Sequence, residues 1–141
     1  MPAERRDLLA SLLPIAKALR RIEDAAAARC GINMWQYAIL SMVTAVPGMN
    51  QGEVAGRLGY SKNRIIADLD ELAERKLLIR VTGVDRRANM LHCTDSGVAR
   101  MREIRAEIHR REDVLLSGLS PTARREFQRI VRQLGELVRT Q

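Results

Sequence analysis

The sequence predicts a mainly α-helical fold that carries one small β hairpin. Apolar residues recur at helical spacing through most of the chain, and cap and stop residues divide this part into six helical segments. The helical period breaks at LLIRV and NMLHC (77–81 and 89–93), which are short, apolar or β-branched, and flank a turn. These two segments are typical of a two-stranded hairpin.

The first two helices follow from an apolar stripe and from a cap. The first helix is long, with Pro14 as the expected kink, and its stripe consists of Leu8, Leu12, Ile15, Leu19 and Ile22. The second lies within residues 33–48, where Asn33 and Gln36 have the spacing of a capping box and Pro47-Gly48 stops the helix.

The next two helices are short and adjoin the hairpin. The third lies within residues 50–59, where Asn50 is the expected cap, Glu53 its capping-box partner and Gly59 the closing residue. The fourth is predicted to run from Ser61 to about Lys76.

The remaining helices lie at the C-terminal end. One is predicted from about residue 94 to 116, and another begins with Ser120 as N-cap and Pro121 in the first turn. Its apolar stripe comprises Phe127, Ile130, Val131, Leu134, Leu137 and Val138. Striped helices at both ends of a chain usually bury their faces against another subunit or each other, so a two-fold homodimer is expected.

Two short helices joined by a tight turn and followed by a hairpin form a winged helix-turn-helix. We therefore expect a single domain over residues 1–141, with a winged helix-turn-helix lobe at 33–93 and dimerisation helices at 1–30 and 95–141. The length of 141 residues fits one domain.

The composition and charge of the chain limit the classes of function but do not select one. The net charge is +7, with 24 basic residues of which 21 are arginine, and the excess is spread evenly along the chain. It favours a polyanionic partner only modestly. No apolar run is long enough to span a membrane, no signal peptide is recognisable, and two cysteines form no disulfide framework, so a cytoplasmic protein is expected.

The fourth helix has the charge order of a DNA-reading helix. Lys62 and Arg64 lie in its first turn, where the helix dipole disfavours cations, and the acidic residues come later. A recognition helix contacts bases through its N-terminal residues. Asn63 could form hydrogen bonds with the edge of an adenine, and Ile66 could contact the methyl group of a thymine. The candidate DNA contacts are Gln51, Ser61, Lys62, Asn63, Arg64, Ile66 and Ala67. The alternative is a solvated face on which Arg64 pairs with Asp68.

The turn of the hairpin carries adjacent arginines, Arg86 and Arg87, after Asp85. A hairpin tip beside a groove-bound helix meets the minor groove or its phosphates, where arginine is favoured. Asp85 would hold a guanidinium in place and reduce the rotamer entropy lost on binding. The alternative is a solvated charged turn.

The segment DRRANMLHCTDSG resembles the wing signature of MarR-type regulators, whose positions are filled by Asp85, Arg87, Thr94 and Gly97. QYAIL and the segment at 50–80 are similar to the second helix, helix-turn-helix and first wing strand of that family. The resemblance implies a homodimeric transcription regulator, usually a repressor, that binds an inverted-repeat operator. It also implies release by a small, often aromatic or phenolic, molecule bound between the DNA lobe and the dimer helices.

Two positions depart from the family pattern. Many relatives have Thr and Arg where this chain has Ile66 and Ala67, so base preference is not carried over. Many have Gly where this chain has Leu77, so the fourth helix must end in another way.

The sequence gives little support for ligand-binding, redox, catalytic or metal sites. Trp35 and Tyr37 are candidates for ligand binding, although aromatic residues on a helix are more often core. Cys30 allows a redox-sensing alternative, but a structural thiol is favoured, and Cys93 is expected in the core.

No catalytic or metal-site spacing is present, so neither an enzyme nor a cofactor is expected. A further alternative is a winged-helix protein-interaction module without DNA binding, favoured by the acidic run after Ala67.

Replacing Arg87 by alanine is expected to weaken operator binding. If Arg87 contacts phosphate or the minor groove, the slope of log affinity against log salt becomes shallower by up to about one unit. Fluorescence anisotropy over a salt series measures both quantities. Arg139→Ala, in the last predicted helix, is the matched control. An unchanged affinity and slope in Arg87→Ala would remove the wing from DNA binding.

Overall fold

The structure, a computed structural model, describes residues 3–82 and 89–141. Asp85, Arg86 and Arg87 lie outside these residues. The predicted mainly helical fold with a small β wing is confirmed. In chain order the elements are α1 (Leu8–Arg29), α2 (Met34–Ala45), β1 (Met49–Asn50), α3 (Gln51–Leu58), α4 (Lys62–Glu74), β2 (Leu78–Thr82), β3 (Asn89–Cys93), α5 (Asp95–Leu115), a 3₁₀ turn (Leu116–Gly118) and α6 (Pro121–Arg139).

The wing contains a third strand that the sequence did not predict. The described strands form an antiparallel sheet in the order β1-β3-β2. In β1, Met49 lies opposite Leu91 and Asn50 opposite Met90. The predicted antiparallel pair, β2 with β3, is confirmed. Strand β1 was missed because it is only two residues long and pairs with a strand some forty residues later. Such a non-local pairing leaves no periodic pattern in the sequence.

The helix starts follow the predicted caps. At α2 the Asn33 side chain accepts from Gln36 N–H and the Gln36 side chain accepts from Asn33 N–H, which is the complete capping box. At α3 the Asn50 side chain accepts from Glu53 N–H, but Glu53 Oε1 accepts from the Asn50 side-chain amide rather than its backbone. Ser120 caps α6 as predicted.

The described chain divides into two compact units, the first ending at Ile108 and the second running from His109 to Gln141. Within the first unit, α2, α4 and the wing strands enclose the apolar core. Its most deeply buried side chains are Ile39, Leu40, Val43, Val54, Ile65, Leu69, Leu72, Leu78, Leu91, Met101 and Ile104. The predicted domain bounds remain a prediction.

In the second unit, the apolar face of α6 is exposed. No residue of α6 is buried. The large exposed apolar side chains of this unit are Val114, Leu115, Leu119, Ile130, Val131, Leu134, Leu137 and Val138. The predicted stripe is therefore present on α6, and all of its residues except the half-buried Phe127 are exposed.

Helix α4 ends at Glu74, two residues earlier than predicted, in a Schellman motif. Leu77 N–H donates to Leu72 O and Lys76 N–H donates to Ala73 O, each at 3.0 Å. The motif requires a left-handed residue, and Lys76 adopts it with φ 61°. This closes the helix without a glycine.

The Thr-x-x-Gly signature secures the corner between α4 and β2. Thr94 Oγ1 donates to Lys76 O at 2.7 Å, and its N–H donates to Leu77 O at 3.2 Å. Gly97 N–H donates to Thr94 Oγ1 at 3.0 Å. A Cβ on Gly97 would lie 1.9 Å from Leu77 O, so only glycine fits where α5 begins.

Replacing Lys76 by glycine is expected to stabilise the fold by about 0.5–1 kcal/mol. A left-handed non-glycine residue is strained by roughly 1–2 kcal/mol, of which the greater chain entropy of glycine offsets about half. Urea unfolding at a fixed protein concentration measures the change. Gly59 ends α3 in the same conformation, with φ 63°, and Gly59→Lys is the reciprocal control, expected to destabilise. Loss of stability in Lys76→Gly would contradict this account of the helix end.

Candidate nucleic-acid interface

The first turn of α4 presents three exposed polar side chains. Ser61 Oγ accepts from Arg64 N–H at 3.4 Å and thereby caps the helix. Lys62, Asn63 and Arg64 are all exposed. Within residues 3–82 and 89–141, none of the three has an acidic partner. Two cations and an amide are therefore available to an external ligand at one helix end.

The exposed face continues for one more turn. Ile66 is 41% exposed and Ala67 is also exposed. On the opposite side, Ile65 and Leu69 are fully buried and fix the helix to the core. The structure thus brings together the predicted contacts of α4 on one surface. Gln51 begins α3, which packs against α4, and is half-buried.

The acidic residue nearest this surface points inward. Asp68 is 8% exposed, and its carboxylate accepts from Gln36 Nε2 at 3.2 Å and from the Tyr60 hydroxyl. Asn33 Nδ2 lies at 3.5 Å from the same carboxylate. The alternative in which Asp68 pairs with Arg64 on a solvated face is wrong, because burial and three neutral donors hold the carboxylate within the lobe.

Two other acidic groups of α4, Asp70 and Glu71, also have partners. Asp70 Oδ1 accepts from Arg80 Nη2 of β2 at 2.7 Å. Glu71 Oε2 accepts from Gln36 Nε2 at 2.9 Å. Three of the four residues in the acidic run after Ala67, which favoured a protein-interaction module, therefore make contacts within the lobe.

Gln36 connects these groups, and its role beyond the capping box was missed. It is 1% exposed, and its Oε1 accepts from Asn33 N–H at 3.0 Å while its Nε2 donates to both carboxylates. We call Asn33, Gln36, Tyr60, Asp68 and Glu71 the Asp68 network. The sequence signals only the local pair Asn33–Gln36, because the partners on α4 are more than thirty residues away.

The Tyr60 ring contacts both an aromatic ring, that of Trp35, and a cation, the Arg64 guanidinium. Its ring centroid is 4.7 Å from that of Trp35, at an interplanar angle of 42°. The Arg64 guanidinium carbon lies 5.6 Å from the same ring. Burial, followed by the hydrogen bond to Asp68, raises the pKa of Tyr60 to about 12, so the phenol remains a donor at neutral pH.

Tyr37, the second ligand-binding candidate, is buried and faces α5. Arg105 Nε donates to the Tyr37 hydroxyl at 3.2 Å, and Arg105 Nη2 donates to Ser41 Oγ. Within the described residues, Arg105 has no acidic partner. Two hydroxyls therefore orient a half-buried guanidinium whose charge is not neutralised. Trp35 and Tyr37 do not share this site, since Trp35 packs on Tyr60.

Both cysteines are half-buried against the core. Burial raises the pKa of the Cys93 thiol, whose Sγ lies 3.4 Å from Thr44 Oγ1 and 3.5 Å from Leu40 O. The Cys30 carbonyl accepts from Arg100 Nη1 at 3.0 Å. Redox sensing by Cys30 remains an untested alternative to the structural role that the sequence favours.

None of the helices in the described residues is both long and apolar enough to cross a membrane. In the same residues, no group of three or more His, Cys, Asp or Glu side chains is arranged to hold a metal ion.

The sequence matches no protein-family model, and no curated protein matches it. Solved structures do match. A crystal structure of MarR is 25% identical and has a TM-score of 0.84, covering 96% of this chain and 100% of that one. A MarR-family transcriptional regulator from Rhodococcus sp. RHA1 is 20% identical, with a TM-score of 0.78 over 92% and 96% of the two chains.

The chain has the fold of the MarR-family transcriptional regulators. The resemblance found in residues 33–97 is thereby confirmed and extends over nearly the whole chain. These matches are with regulators, in agreement with the prediction that the chain is not an enzyme. A further MarR-family match, Rv2887 of Mycobacterium tuberculosis, was solved with p-aminosalicylic acid. It is 23% identical, with a TM-score of 0.80 over 92% of this chain and 99% of that one.

Proposed function

We propose that this chain is a homodimeric, sequence-specific DNA-binding regulator that represses transcription and is released by a small-molecule ligand. The observation that carries the proposal is the charge order of α4. Its exposed first turn presents Lys62, Asn63 and Arg64, while Asp68 is held inside the lobe. A helix N-terminus with free cations and an amide suits entry into the major groove.

The two recognition helices of a dimer would enter successive major grooves about 34 Å apart. Insertion is limited to roughly the first two turns of α4, because Asp70 and Glu74 lie further along its exposed face. Arg86 and Arg87 would contact the neighbouring minor groove. The proposal for these two residues rests on the sequence.

Replacing Asn63 by alanine is expected to reduce base discrimination. Loss of a bidentate amide–adenine contact should lower the ratio of operator affinity to random-DNA affinity about tenfold or more, with a smaller effect on random DNA itself. The ratio is measured by anisotropy at physiological salt, using a duplex that the wild-type protein selects from a random pool.

Glu74→Ala is the matched control, since Glu74 lies on the same face of α4 three turns later. It should leave the affinity ratio unchanged. Equal losses on operator and random DNA in Asn63→Ala would exclude direct readout by this residue. Failure of the wild-type protein to select any sequence would contradict the proposed function.

The apolar face of α6 supports the dimer. Its side chains recur at intervals of three and four residues and remain exposed in the described chain. An exposed stripe of this size marks an interface, because burying each large apolar side chain stabilises association by about 1.5–3 kcal/mol. A second copy of the chain offers the same stripe and forms a two-fold interface.

Replacing Leu134 by glutamate is expected to weaken the dimer at least about a hundredfold. In a two-fold interface each substitution acts twice, removing apolar burial and placing a carboxylate there. Sedimentation equilibrium measures the dissociation constant. Gln133→Glu adds the same charge at the neighbouring position and should have little effect. A wild-type monomer, or equal effects of the two variants, would contradict an interface at this stripe.

Arg105 supports ligand-dependent release. Its guanidinium is oriented by Tyr37 and Ser41 and lacks a counter-ion among the described residues. An aromatic carboxylate would supply that charge and stack near the tyrosine ring. Rv2887, solved with salicylic acid, shows that a MarR-family protein binds this class of molecule.

Replacing Arg105 by glutamine is expected to weaken salicylate binding about tenfold or more, because a charge-assisted hydrogen bond is lost. Isothermal titration calorimetry with the free protein measures it. Arg102→Gln, on an exposed position of the same helix, should bind salicylate like the wild type. Absence of salicylate binding to the wild-type protein would remove this ligand class, and equal losses in both variants would remove Arg105 from the site.

A further inference from the structure

Arg64 must be held in place if it reads bases selectively. A free arginine side chain on an exposed helix turn loses rotamer entropy when it binds DNA, and that loss lowers the affinity. A side chain with many rotamers can also contact several different bases, which reduces base discrimination. Within the described residues, no carboxylate restrains Arg64, because Asp68 is held by other donors. The group that does lie beside Arg64 is the Tyr60 ring, at 5.6 Å from its guanidinium carbon.

The Tyr60 ring is itself fixed from three directions. Its backbone N–H donates to Ala55 O at 2.9 Å, which places it directly after the closing turn of α3. Its hydroxyl donates to Asp68, a member of the Asp68 network. Its ring packs against Trp35 at 4.7 Å. Tyr60 is therefore a surface tied to α2, α3 and α4, against which the Arg64 side chain lies.

We propose that Tyr60, backed by Trp35, is a positioning residue that stacks on Arg64 and orients its guanidinium for base contact. A guanidinium over a tyrosine face within about 6 Å is attracted by the ring, and the stack leaves its edge N–H groups free to bind. This inference rests on the proposed function and assigns Trp35 to DNA recognition through Tyr60, instead of to ligand binding.

The stack is tested first in the free protein, without DNA. In the wild-type protein the Arg64 side-chain protons should be shifted upfield by the ring current of Tyr60, as seen in side-chain NMR spectra. Tyr60→Phe should keep the shift and Tyr60→Leu should abolish it. Tyr37→Leu removes the other tyrosine of the chain and should leave the Arg64 signal in place. Absence of the shift in the wild-type protein would overturn the inference.

The consequence for DNA is tested by a double-mutant cycle on the ratio of selected-duplex to random-DNA affinity. Arg64→Ala should lower the ratio about tenfold or more, and Tyr60→Leu roughly two- to fivefold. Tyr60→Phe loses the same hydroxyl as Tyr60→Leu but keeps the ring, so its ratio should fall less than that of Tyr60→Leu. In the Arg64→Ala background, Tyr60→Leu should cause no further loss.

The outcomes separate this inference from the proposed function. If the wild-type protein selects a duplex but the effects of Tyr60→Leu and Arg64→Ala are additive, Tyr60 does not act through Arg64. Equal losses in Tyr60→Phe and Tyr60→Leu would assign the effect to the hydrogen bond with Asp68 and overturn the role of the ring. If the wild-type protein selects no duplex, the proposed function fails and the inference falls with it, whatever the NMR shift shows.

Discussion

The buried carboxylate of Asp68 determines how α4 is presented. A buried carboxylate is tolerated only with hydrogen-bond donors around it, and leaving a buried polar group without its partner typically destabilises a protein by about 1–3 kcal/mol. Gln36 and Tyr60 supply these donors from the start of α2 and from the turn before α4. Together with the fully buried Ile65 and Leu69, the carboxylate therefore fixes the rotation of α4 about its own axis, and with it the face that reaches solvent.

The arrangement explains an order of charges that would otherwise disfavour the helix. Cations in a first turn oppose the helix dipole by about 0.3–1 kcal/mol each, and Lys62 and Arg64 both occupy this turn. Ser61 caps the helix, and the Asp68 network and the buried Ile65 and Leu69 anchor it from within. Local instability balanced by distant contacts is expected at a binding surface.

Local signals in the sequence predicted most of the fold. The caps at Asn33, Asn50 and Ser120 bind backbone groups three residues away, so spacing alone identifies them. Strand β1 pairs with a strand some forty residues later, and the inward direction of Asp68 depends in part on Gln36, which is thirty-two residues away. Such distant partners leave no periodic pattern in the sequence. The left-handed Lys76 was missed for another reason, since lysine rarely adopts this conformation.

The most direct test of this account is a crystal structure of the protein bound to a duplex that it selects. We expect Asn63 and Arg64 at base edges in the major groove, with the Asp68 carboxylate still bonded to Gln36 and Tyr60. A complex in which another element enters the groove, or in which Asp68 leaves its donors to approach Arg64, would contradict the claim that this buried carboxylate sets the reading face.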